Sequence, residues 1–215
     1  MKKCLMLLFV ALSMNVWAIE PYGTGSEITP SILIYNINDD DDYDSGAGLE
    51  CQYRFWFAEN FGIGASIGYS NWEINDDSYY ERDETGTYSA DMDGDVSLLF
   101  VGPSLLLRPQ INDRVRFVFD AGIKYAIVDS NAKVNYRFSS GYYSIRASED
   151  IEIDDGIIGT VGLNCEFSIS NHVSLFVGAG YNFDIEKGDV EIDGENAGEN
   201  ELKSSMFKTG CSIRI

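Results

Sequence analysis

Residues 61–72 read FGIGASIGYSNW. Taken every second residue, they give Phe61, Ile63, Ala65, Ile67 and Tyr69 on one side and Gly62, Gly64, Ser66, Gly68 and Ser70 on the other. A period of two describes a β-strand, here with one apolar face and one almost bare face. A soluble sheet normally sets solubilising side chains opposite its apolar face, and glycine supplies neither solubility nor packing. Glycine suits a crowded interior. That is the condition inside a narrow closed barrel whose apolar residues point outward into lipid.

Working outward, eight segments of alternating character follow one another, at 27–37, 46–57, 61–72, 95–108, 114–128, 156–169, 173–185 and 204–215. Most reach the roughly 9 to 11 residues that a tilted transmembrane strand needs. The connections alternate in length: 58–60, 109–113 and 170–172 are tight, whereas 38–45, 73–94, 129–155 and 186–203 are long and polar. Short turns at one end and long loops at the other predict an all-β fold, an eight-stranded antiparallel up-and-down transmembrane β-barrel. In that arrangement the turns and both termini are periplasmic and the loops lie outside the cell.

Aromatic placement supports the same orientation. Phe61 to Tyr69, Phe117 to Tyr125 and Val173 to Tyr181 are each eight residues apart. At about 3.3 Å per residue and a tilt near 40°, eight residues climb roughly 20 Å, close to the apolar band of such barrels. Phe55, Phe57, Phe61, Phe117 and Phe167 are expected in a lower girdle, and Tyr69, Tyr125 and Tyr181 in an upper one. Were the faces reversed, the same aromatics would line the cavity of a soluble periplasmic lipocalin-like barrel.

The other face carries charges of both signs at mid-strand: Glu50, Gln52 and Arg54, then Asp120 and Lys124, Asn164 and Glu166, and Lys208 and Arg214. The lumen of an eight-stranded barrel is only wide enough for side chains to fill it. Unpaired charge there is costly, so Glu50, Arg54, Asp120, Lys124, Glu166, Lys208 and Arg214 are expected to pair into a hydrogen-bonded plug that leaves no open pore. Two segments are less regular. VSLLFVGPSLLL is apolar on both faces, and Pro103, which brings no N–H to a ladder, predicts a bulge or an irregular register. In the first segment the pattern leaves open whether Ile34 or Tyr35 faces lipid. Within the third long loop, Val134, Tyr136 and Phe138, then Tyr143 and Ile145, predict a hairpin rising above the membrane.

The first eighteen residues, MKKCLMLLFVALSMNVWA, combine a basic start, an apolar run and small residues at Val16 and Ala18, which is the pattern of a signal peptide cleaved after Ala18. Residues 19–215 then form the barrel with its four acidic loops. Of 15 basic residues two lie in that leader, so the remainder has 13 against 35 acids, a net charge near −22. Such a balance argues against nucleic acid or anionic lipid as an electrostatic partner. Cys51, Cys165 and Cys211 are odd in number and each falls on an apolar series, so they read as small apolar residues and not as a disulfide framework.

The long loops with their rims hold five, nine, six and eight acids in turn, 28 of the 35. Mutual repulsion predicts a soluble, mobile surface that attracts cations diffusely and bridges to lipopolysaccharide phosphates. A sharper alternative is calcium held by Asp40, Asp42 and Asp44, or by Asp91, Asp93 and Asp95, which offer carboxylates at alternate positions. Neither run has the full helix-loop-helix calcium pattern.

The leader, the eight alternating strands and the closing strand SMFKTGCSIRI resemble the small eight-stranded outer-membrane β-barrel proteins, the group of the OmpA membrane domain, OmpX and the opacity adhesins. Phe207, Cys211, Ile213 and Ile215 keep that group's closing alternation, although its last residue is usually aromatic and here it is Ile215. The resemblance implies a cell-envelope, porin-like barrel in the outer membrane of a diderm bacterium, monomeric, without a cofactor. It would contact outer-membrane lipid including lipopolysaccharide, and an extracellular protein or surface through its loops. Chemistry is not expected: the lone His172 sits in a periplasmic turn, and no Gly-x-Ser-x-Gly elbow or His-Glu-x-x-His pair occurs. The expected role is therefore structural or adhesin-like with a plugged lumen. The alternative is a narrow channel for small hydrophobic compounds, OmpW-like, which would need an apolar lumen.

Overall fold

The computed structural model describes residues 24–36, 46–75, 79–82, 86–109, 111, 114–140, 143–199 and 202–215. The leader, and the first loop with Asp40, Asp42 and Asp44, lie outside the described residues. Thirteen strands are described: β1 (Gly25–Asn36), β2 (Gly46–Trp56), β3 (Phe61–Asn75), β4 (Tyr79–Arg82), β5 (Thr87–Leu107), β6 (Val115–Ser130), β7 (Ala132–Ser140), β8 (Tyr143–Ile153), β9 (Gly156–Ser168), β10 (Val173–Glu186), β11 (Asp189–Ile192), β12 (Glu195–Glu199) and β13 (Ser204–Arg214).

Eight of these close a barrel in the order β1, β2, β3, β5, β6, β9, β10, β13, and β13 pairs back to β1. Every rung between neighbours is antiparallel. The eight fall on the segments expected from the periodicity, except that β3 runs on to Asn75 and β5 begins at Thr87.

Closure fixes which face of each strand looks in. On β3, Phe61, Ile63, Ile67 and Tyr69 are 40% to 55% exposed on the outer surface, while Gly62, Gly64, Ser66, Gly68 and Ser70 are buried within. The bare face makes room for large lumen side chains. A Cβ at Gly62 would stand 2.7 Å from the Trp56 ring, and one at Gly68 would enter the Phe100 ring. In β1 it is Tyr35 that turns inward, at 2% exposure, while Ile34 is 53% exposed. The lipocalin-like alternative needs the aromatics of the two girdles inside, and Phe55, Phe57, Phe61, Phe167, Tyr69, Tyr125 and Tyr181 are outside.

β5 settles its own ambiguity. Val96, Leu98, Phe100 and Leu106 are buried, and Val101, Leu105 and Leu107 are exposed. The bulge expected at Pro103 does not form: Val101 faces Tyr125 and Ser104 faces Gly122 in one unbroken register, and only Gly102 and Pro103 lack a rung to β6. The missing N–H thus costs a rung and leaves the alignment intact, because the ladder to β3 continues through both residues. At Gly102 a Cβ would press into the Ile123 carbonyl, so the two backbones close in there as glycine permits. A register shift lies instead near the end of β10, between Asp184 and Glu186.

Above the barrel the described residues of the second to fourth long connections are largely strands. The 21 residues of β5 run about 70 Å at 3.3 Å each, roughly twice what crossing the hydrocarbon demands. Its upper part, from Thr87 to Asp93, pairs with β7, and β4 pairs alongside. β8 adds to β7, β11 to β8, and β12 to β11, which completes an extramembrane sheet. The hairpin expected from Val134, Tyr136, Phe138, Tyr143 and Ile145 is part of it, and its strands extend over Ala132–Ser140 and Tyr143–Ile153. The mobile surface expected for the second to fourth connections gives way to strands because Val96, Ala132, Val134, Ile151 and Ile153 bury against one another, with Val190 and Ile192 packed beside them. That burial outweighs the repulsion of the flanking acids.

Candidate functional site

The inward series of all eight strands meet in the lumen, which is layered. At its lower, tight-turn end Trp56, Leu106 and Val118 cluster, and the Arg108 guanidinium lies 4.0 Å over the Trp56 ring. Beside them is an ionic group. Glu27 takes Arg108 at 3.3 Å, Arg116 at 3.1 Å and Arg214 at 3.6 Å, all on one carboxylate oxygen, while Ser212 Oγ donates to the other at 3.1 Å. Arg116 Nε also donates to Glu166 at 2.6 Å, and Glu166 meets Arg54 at 2.5 Å. Arg54 in turn donates to Gln52 Oε1, and Gln52 to Ser104 Oγ. Glu27, Arg54 and Glu166 are all but fully buried.

One level up, Lys124 pairs with Glu50 at 2.9 Å, and Lys208 reaches Asp120 at 3.5 Å, where Asn164 also donates. Lys124 stands 4.4 Å over the Phe100 ring, which marks the change of character. The upper lumen is apolar, with Leu33, Tyr35, Trp72, Leu98, Phe100, Ala126, Ile158, Leu202 and Met206 packed together. Tyr35 and Trp72 rings lie 5.3 Å apart, and the cavity among these side chains is only about 10 Å³.

The structure therefore brings all seven charges proposed from sequence into the lumen, each against an opposite charge. Sequence reasoning missed Glu27, Arg108 and Arg116, three of the heaviest members of the lower group. Arg116 was within reach, because it continues the even-numbered inward series of Asp120 and Lys124. Glu27 was hidden by the undecided facing of β1; once Tyr35 is inward, Glu27 is too.

On the outside, Phe55, Phe57, Phe61 and Phe167 are exposed at the turn end and Phe117 is half-buried on the same outward series. Tyr69, Tyr125 and Tyr181 are exposed toward the other end. Between the two rings lie Ile32, Leu49, Ile63, Leu105, Ile123, Leu163 and Val177, an apolar belt around the barrel. Cys51, Cys165 and Cys211 are free thiols on outward positions of that belt. His172 is exposed in the turn between β9 and β10, where its carbonyl accepts from Arg214 N at 2.8 Å. Asp91, Asp93 and Asp95 alternate along one face of β5, strung out at about 6.8 Å per pair. Among the described residues no group of three or more His, Cys, Asp or Glu gathers as a metal site.

An eight-stranded barrel with an apolar outer belt between aromatic rings and its charges turned inward is an integral membrane protein of the β-barrel class. Residues 4–214 match the family described as outer membrane protein beta-barrel domain, and the chain belongs to that family. Its place is accordingly the outer membrane. No curated protein matches the sequence. Among solved structures the chain is similar to the outer membrane protein OprG from Pseudomonas aeruginosa, at 11% identity over 90% of this chain and 97% of that one, with a TM-score of 0.62. It is also similar to Neisserial surface protein A, at 12% identity over 90% of this chain and 99% of that one, with a TM-score of 0.52. At such identities the likeness is one of fold.

Proposed function

We propose that the protein is a non-enzymatic outer-membrane barrel with a plugged lumen that holds an acidic sheet above the cell surface as an adhesin-like interaction surface. The observation that carries this reading is that β5 is at once a barrel strand and the spine of the extramembrane sheet. The sheet is thus fixed to a scaffold whose own interior is crossed by the chain Arg54, Glu166, Arg116, Glu27. Its acids keep it soluble, draw divalent cations and bridge through them to lipopolysaccharide phosphates, while exposed Tyr80, Tyr143 and Ile145 offer contact area to a protein or surface partner. In this reading the protein is a monomer, with its sheet outside the cell and its termini periplasmic.

The apolar upper lumen favours a second reading, a narrow path for small hydrophobic compounds. Its side chains are close-packed, however, and the lower lumen beneath them is charged. Labelling of intact cells tests the first reading. In a background with Cys51, Cys165 and Cys211 changed to Ser, cysteines placed at the exposed Ser144 and Ser148 are expected to react with a membrane-impermeant maleimide. Reaction only after the envelope is opened would reverse the orientation and remove the interaction surface from the cell exterior.

A further inference from the structure

The turn end of the barrel holds a cavity of about 500 Å³, lined by Arg108, Arg114, Arg116, Arg214, His172 and Glu27 among others. We infer that this vestibule is a binding site for a phosphate-bearing anion. The first ground is charge. In a chain of net charge −20, the described lining carries four arginines against two carboxylates, Glu27 and Glu59. Glu27 is shared by three of the arginines on a single oxygen, and Glu166, which also holds Arg116, is already paired with Arg54.

The second ground is the kind of cation. Arginine presents a planar fork that matches phosphate oxygens two at a time, where lysine would offer a point charge. The guanidiniums are also held in place. Arg108 stacks on Trp56 and donates to the Glu59 carbonyl at 3.1 and 3.3 Å, and Arg116 is fixed between Glu27 and Glu166. Fixed donors lose less freedom when a ligand arrives. Ser168 and Ser174, hydrogen-bonded to each other at 3.2 Å, line the same wall and keep it polar. The volume exceeds the need of a monatomic ion and suits a diphosphate or a phospholipid headgroup, the two sources that meet this mouth in a diderm envelope.

That the mouth opens to the periplasm rests on the orientation proposed above; the binding itself does not, and it is measured on purified protein. The folded barrel in zwitterionic detergent is titrated calorimetrically with pyrophosphate. A saturable site is expected, weakening as salt is raised. Arg114→Gln, at an exposed turn position, should weaken binding several-fold, and Arg114→Gln with Arg214→Gln by at least about tenfold. Lys133→Gln on the extramembrane sheet should change nothing. Unboiled gel mobility shows that each variant is folded. Displacement of pyrophosphate by water-soluble dihexanoyl phosphatidylglycerol, with the phosphatidylcholine analogue inert, identifies a lipid headgroup as the source; no displacement by either identifies a free anion. Absence of a saturable site, or binding that survives the arginine changes, overturns the inference. Failure of the cell-labelling experiment with binding intact would move the site to the other side of the membrane without removing it.

Discussion

Arg54 of β2 and Glu166 of β9 lie 112 residues apart in sequence and meet at 2.5 Å inside the barrel, both almost entirely removed from solvent. The pair joins two strands on opposite sides of the barrel across the lumen. The Glu166 carboxylate takes Arg54 on one oxygen and Arg116 on the other, and Arg116 carries the connection to Glu27 on β1.

Because Glu166 serves two guanidiniums and Arg54 has other partners, the two ends of the pair are not equivalent. Removing one partner of a buried pair costs about 3–5 kcal/mol, chiefly from the charge left behind. Glu166→Gln is expected to fall at the upper end of that range or beyond, and Arg54→Met nearer the lower. The combination Arg54→Met with Glu166→Leu should cost less than the sum of the single changes. Urea unfolding in lipid vesicles measures all three.

The bare face of β3 makes a packing prediction. A Cβ at Gly68 meets the Phe100 ring and nothing on the lipid side relieves it. Gly68→Val is expected to destabilise by roughly 1–3 kcal/mol, the usual cost of overpacking. Phe100→Leu placed in the same chain should return part of that loss, which urea midpoints of the single and double variants would show.

Exposure means different things at different heights. Ile63 and Val177 are 48% and 46% exposed in the apolar belt, and Ile145 is 58% exposed on the extramembrane sheet. Arginine at Ile63 or Val177 is expected to cost about 2–4 kcal/mol in a bilayer. Arginine at Ile145 should stay within about 0.5 kcal/mol, as at an ordinary wet surface. Equal losses at the three sites would contradict the placing of the lipid belt.

The extramembrane sheet is attached to a barrel that closes without it, since β6 pairs directly with β9 from Val115 to Ala126. Replacing residues 132–153 by a short turn is therefore expected to leave a barrel that folds and keeps its heat-modifiable gel mobility. The truncation uncovers Val96, so a modest loss of stability is expected from the apolar area exposed. A chain that no longer folds would mean that the sheet nucleates the barrel.

These expectations show how unevenly the molecule was legible. Register is strongly specified wherever a strand separates lipid from lumen, because a slip of one residue would put Ile63 inside and Gly64 in lipid. That is why all eight barrel strands could be read. Glu27 escaped because the contrast that decides sidedness weakens in β1, where Ile32, Leu33, Ile34 and Tyr35 are apolar on both faces. Apart from the hairpin around Ser139 and Ser140, the strands of the upper sheet escaped for a different reason. Ile151 with Ile153 and Val190 with Ile192 are short apolar pairs set among acids, and their burial depends on neighbours from other connections that no local pattern names. Pro103 misled because a lost donor predicts a bulge or an irregular register, whereas the second ladder to β3 holds the register.

The central claim is that ion pairs and packed side chains close the lumen, and reconstitution into a planar bilayer tests it most directly. Single-protein recordings at neutral pH are expected to show no steady, reproducible conductance steps for the wild-type barrel. Conductance should appear, if anywhere, in Glu166→Ala with Arg54→Ala, which empties the centre of the lower lumen. Stable, uniform steps from the unaltered protein would contradict the account.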